Sequence, residues 1–95
     1  MVRVIIERRV RKGSEGELDV ALRQLRAEAM YRRGYISGET MQALDNPSLI
    51  VVISTWASAG AWGAWENNPR RQELTAKIDP LLVEPARTTV FTLPG

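Results

Sequence analysis

Trp56, Trp62 and Trp65 are the only tryptophans of the 95-residue chain, and all three fall in the stretch from Leu49 to Pro69. Flat rings so close together could stack a planar, electron-rich aromatic molecule, and Trp62 and Trp65, three apart, share one face if the segment is helical. The same rings serve as ordinary packing too, since each buries a large apolar area. Small residues around the last two, Ala59, Gly63 and Ala64, leave room beside them rather than filling it. Tyr31 and Tyr35 are the only phenols that could hold or move a proton, and both also read as boundary residues at the end of a helix. Glu7, Glu39 and Glu73 are the candidate carboxylates, but no two carboxylates have the spacing of a metal site or an acid/base couple. With no cysteine and no histidine, the chain lacks thiolate nucleophiles, zinc-finger spacings and the commonest neutral-pH base.

The elements that must position these rings follow from periodicity. Leu49 to Ile53 is apolar without alternation, which is how a central strand with two covered faces reads, and Trp56 ends it. Ser58 is a good N-cap for a helix carrying Trp62 and Trp65. Pro69 must break that helix, and Asn68 with Pro69 forms a fresh N-cap and first-turn pair for a second short helix from Arg70 to about Ile78. Its apolar positions Leu74 and Ile78 lead on to Leu81 and Leu82 and a loop marked by Pro80 and Pro85.

Upstream, Val2 to Val10 alternates, with Val2, Val4, Ile6 and Val10 on one face against Arg3, Ile5, Glu7 and Arg9 on the other. Lys12–Gly13 turns the chain, and Ser14 with Glu17 has the spacing of a capping box. Leu18, Ala21, Leu22, Leu25 and Ala29 then form a helical stripe, which Gly34 is suited to end in the left-handed conformation. Tyr35 to Leu44 alternates as a second strand, with Ile36, Gly38, Thr40 and Gln42 against Tyr35, Ser37, Glu39, Met41 and Ala43. Asp45 to Ser48 turns it into the apolar strand as a hairpin. Thr88 to Leu93 is a last strand, closed by Pro94–Gly95.

The resulting order, β-α-β-β-α-β, predicts one α+β domain over residues 1–95: a ferredoxin-like four-stranded antiparallel sheet with its helices on one face. The doubly apolar third strand then needs cover on the other face, and the chain offers no further element. A homodimer joined sheet to sheet is the expectation. The formal charge is only +2, and the basic groups Arg8–Arg9–Arg11–Lys12, Arg32–Arg33 and Arg70–Arg71 read as solvated or interface-forming, with no nucleic-acid motif. The N-terminus lacks the apolar core of a signal peptide and no run approaches a membrane span, so a cytoplasmic protein without membrane association is expected.

Three segments carry a resemblance: VRKGSEGE after the first strand, the hairpin YISGETMQALDNPSLIVVISTW, and the W-x-S-x-x-x-W-x-x-W-x-x-x-P run from Trp56 to Pro69. In these the chain resembles the antibiotic biosynthesis monooxygenase (ABM) family over essentially its whole length, with Ala57 where an acidic residue is frequent. The resemblance implies dimeric α+β barrels and two chemistries. In the haem-degrading branch, Trp65 matches a helix tryptophan, whereas the asparagine place falls on Ile6 or Glu7 and the histidine ligand place on Thr75, which disfavours haem. In the cofactor-independent, quinone-forming branch, Trp56 matches a tryptophan at the strand's end and Trp62 stands at a tyrosine place. That branch's asparagine falls on Val52 and its arginine near Thr75 or Ala76, so the polar half of the site is missing at the matched positions. What the resemblance implies is a monooxygenase needing no cofactor, acting on a small aromatic or polyketide-like molecule; the candidate contact residues are Trp56, Trp62, Trp65 and Tyr35. The alternative is a dimeric module that binds a small apolar ligand, or only assembles, without catalysis.

Overall fold

The computed structural model describes residues 1–94 and contains, in chain order, β1 (Val2–Arg9), α1 (Glu15–Ala29), β2 (Tyr35–Gln42), β3 (Leu49–Trp56), α2 (Ala59–Glu66), α3 (Pro69–Ile78), a 3-10 turn (Asp79–Leu81) and β4 (Arg87–Thr92). The strands form one antiparallel sheet in the order β2-β3-β1-β4. This is the expected ferredoxin-like α+β fold, with the second helical region broken in two at Pro69. The expected closing pair Pro94–Gly95 lies partly outside the described residues. Among those residues no helix is long and apolar enough to cross a membrane.

Pairing of β1 with β3 sets Val2 against Trp56, Val4 against Ser54, Ile6 against Val52 and Arg8 against Ile50. These residues face the helices. The core they form is completed by Leu18, Leu22, Leu25 and Ala29 of α1, Trp62 and Trp65 of α2, Leu74 and Ile78 of α3, and Val10 and Leu82 from the flanking loops. Glu28 ties α1 to α3, its carboxylate accepting from Arg70 Nε at 2.6 Å.

The opposite side of the sheet is bare in the single chain. Ile5, Val51 and Ile53 are half-buried there, while Met41 on β2 and Phe91 on β4 remain 43% and 48% exposed.

The ends of the helices separate real caps from apparent ones. Ser58 has extended backbone and its Oγ accepts the Ala61 N–H at 3.1 Å, and Asn68 Oδ1 accepts the Arg70 N–H at 2.8 Å. The expected capping box at Ser14 does not form. Ser14 is already near-helical, with ψ 7°, so its hydroxyl makes no cap bond, and Glu15 accepts the Gly13 N–H instead. Nor does Gly34 cap α1, which ends at Ala29 and unwinds through tighter turns. Gly34, at φ +88°, bends the chain into β2.

Candidate functional site

Between the sheet and the helices runs a cleft bordered by Ile6, Val52, Trp56, Tyr35, Trp62 and Trp65, with Leu22 and Leu25 of α1 above. All four site residues expected from the sequence therefore line one space. The cleft's free volume for small molecules is about 50 Å³, room for a few waters.

Trp56 forms the floor. It is 1% exposed, and its indole N–H donates to Ser54 Oγ at 3.0 Å, which satisfies the ring's one donor in a buried place. Trp62 meets it edge to face with centroids 5.7 Å apart, and Tyr35 does so at 5.3 Å and 87°. Each ring thereby fixes the tilt of the next.

Tyr35 reaches this cluster through an irregularity that strand alternation does not foresee. Tyr35 pairs with Trp56 but Ser37 pairs with Thr55, so β2 carries one extra residue, Ile36. This bulge reverses the alternation and brings Tyr35 to the same face as Gly38 and Thr40, not Ser37, Glu39 and Met41 as expected. The phenol lies directly over Gly38, where a Cβ would come within 2.6 Å of its oxygen.

The cleft's polar side comes from two arginines expected in solvated or interface-forming groups. Arg8, expected in a solvated or interface-forming basic run, is 3% exposed on the helix face of β1, and Arg71 of α3 is 9% exposed. Both border the cleft. Arg71 lies over the Trp62 ring at 5.0 Å, as Arg32 lies over Trp65 at 4.6 Å. No carboxylate among the described residues forms an ion pair with Arg8 or Arg71, and Arg8 Nε is buried without a hydrogen-bond partner. Burial pushes the Arg8 guanidinium down to about 10, helped by the like charge of Arg71 and opposed by Asp79. Burial likewise lowers Arg71, against the pull of Glu66 and Asp79. A signal for both residues was present in the sequence. Arg8 occupies an inward place in the Val2-Val4-Ile6-Val10 alternation, and Arg71 lies three before Leu74 in the stripe that ends at Ile78.

The remaining expected candidates do not converge. Tyr31 is 89% exposed, and Glu7 and Glu73 do not border the cleft; Glu39 borders it from β2 but pairs with Ile53 on the face away from the helices. Thr75 donates its hydroxyl to the Gln72 carbonyl of its own helix.

The fold and its cleft are those of a ferredoxin-like α+β domain with an aromatic pocket under the helices. The chain belongs to the antibiotic biosynthesis monooxygenase family, whose pattern it matches over residues 1–77. Protein SchA of Streptomyces halstedii is 29% identical over 79 residues, which is 83% of this chain but 21% of that protein, so the chain spans about a fifth of its relative. A conserved protein of Methanosarcina mazei Go1 superposes with a TM-score of 0.90 at 18% identity, covering 95% of this chain and 89% of the other. A mutant of SnoaB from Streptomyces nogalater, described as a cofactor-independent oxygenase, superposes with a TM-score of 0.89 at 16% identity, covering 99% and 93%. At these identities the likeness to both structures is one of fold.

Proposed function

We propose that this chain is a cofactor-independent monooxygenase whose cleft takes a planar, electron-rich aromatic such as an anthrone or a quinol, with Trp56, Trp62, Trp65 and Tyr35 as its contact residues. The observation that carries the reading is the convergence of these four rings on one cleft in a member of a monooxygenase family. For an anthrone the reaction balances without an added reductant. The ring methylene loses a proton, the carbanion passes an electron to O2, and the radical pair joins in a C–O bond. Loss of the second hydrogen from that carbon breaks the O–O bond and releases water, leaving the quinone. The protein's part is to hold the ring flat in an apolar cleft, where the Tyr35 hydroxyl is the phenol placed to take or return a proton. A second reading, binding without chemistry, draws on the apolar Ile6 and Val52 and on the small free volume of about 50 Å³. In either case the working form is a homodimer joined through the bare sheet face.

Oxygen uptake decides between the two. With anthrone in excess, one O2 should disappear per anthraquinone formed, and Trp65→Ala should weaken anthrone binding roughly tenfold, the worth of a lost ring contact. Saturable quenching of tryptophan fluorescence without oxygen uptake favours the binding module. Absence of both removes the reading.

A further inference from the structure

Arg8 and Arg71 are an uncommon pair: two guanidiniums, each at least nine-tenths buried, neighbours in charge, bordering one cleft and neither paired with a carboxylate among the described residues. Like charges buried together repel, and a buried donor without an acceptor is left at its full desolvation cost. Arg8 Nε is such a donor. Arg8 is buried on the helix face of β1, so a second copy docked on the opposite sheet face, as proposed, would not pair it. Asp79 and Glu66 act on these arginines only from beyond ion-pair distance. Arg71 lies over Trp62, and a guanidinium that spends its flat face on a ring keeps its N–H edges for another acceptor. The cleft that both arginines border keeps about 50 Å³ of free volume.

We propose that Arg8 and Arg71 form an anion subsite in the cleft, and that its ligand is an aromatic carboxylic acid whose carboxylate sits between them while its rings lie against Trp62 and Tyr35. The carboxylate oxygens accept from both guanidiniums, and the exposed Arg26 at the mouth adds a positive approach. This assignment rests on the proposed aromatic occupancy of the cleft and narrows it to acids.

Calorimetric titration with 2-naphthoate and with the isosteric, neutral 2-naphthamide tests it. The protein should bind the acid at least tenfold more tightly than the amide. Arg8→Met and Arg71→Met should each abolish most of that preference. Should Arg71→Met fail to fold, nitrogen-15 spectra of the unaltered protein provide a second reading: the Arg8 Nε–H resonance should shift on adding naphthoate and stay in place with naphthamide. Equal affinities for the two probes, a preference that survives both substitutions, or an unmoved Arg8 resonance overturns the subsite. Equal binding of both probes leaves the aromatic cleft standing, and naphthoate binding without anthrone turnover leaves the subsite standing while the oxygenase reading falls.

Discussion

Arg8 sits where its surroundings favour a methionine. A guanidinium lowered to about 10 carries roughly 3 kcal/mol against the folded state, by the worth of a tenfold change in proton affinity. Arg8→Met should therefore stabilise the ligand-free protein by about 1 to 3 kcal/mol in urea melts, because an apolar chain of similar length replaces an unpaired buried charge. The sign with pH follows from the lowered affinity. The folded chain releases this proton more readily than the unfolded chain, so the penalty is constant below about 10 and is relieved only as pH rises past it. The gain should be the same at pH 6 and pH 8; a gain that vanishes at either pH, or a loss, contradicts this account. Residue types told much of this site: Trp56, Trp62, Trp65 and Tyr35 could be picked by ring chemistry alone. Arg8 and Arg71 could not, because an arginine beside other arginines reads as surface until its register against Val4 and Ile6, or Leu74 and Ile78, is weighed.

At the level of elements, Gly34, in the connection from α1 to β2, packs against α2. Its φ of +88° is one that residues with a side chain rarely adopt, and a Cβ there would stand 2.5 Å from the Cβ of Ala61. Its carbonyl accepts the Ala57 N–H at 2.7 Å, so the chain cannot simply back away. Gly34→Ala should cost about 2 to 4 kcal/mol, the sum of left-handed strain and overpacking, and should push α2 with its tryptophans away from the sheet. Thermal melts and near-UV circular dichroism check both effects; an unchanged melting temperature would count against the packing described. Most boundaries were legible, since Pro69, Asn68 and Ser58 act through local backbone chemistry. The Ser14 box and the β2 bulge were not, because the first depends on a serine's ψ and the second on pairing with β3, which no local window contains.

The molecule as a whole has one finished and one unfinished face. On the side of the sheet away from the helices, Ile5, Val51, Ile53, Met41 and Phe91 lie among Arg3, Glu7, Arg9 and Glu39. Light scattering at tens of micromolar should give twice 10.7 kDa, and Val51→Lys should return the mass of one chain while the fold, judged by circular dichroism, persists. A single-chain mass for the unaltered protein would leave that face without an occupant. The topology was readable because six segments of distinct period in the order β-α-β-β-α-β admit few arrangements.

The sheet that divides these two faces is a single layer, so the residues of the cleft and those of the bare surface alternate along the same strands: Ile5 beside Ile6, Glu7 beside Arg8, Val51 beside Val52, Ile53 beside Ser54. Point substitutions can thus tune the cleft and the bare surface independently, one neighbour at a time. Gain or loss of one codon within β1 or β3 has the opposite character. It would send Arg8 outward and Glu7 inward, or exchange Trp56 for Thr55, altering both faces at one stroke. A change of length that leaves both faces intact therefore belongs in the loops between the strands.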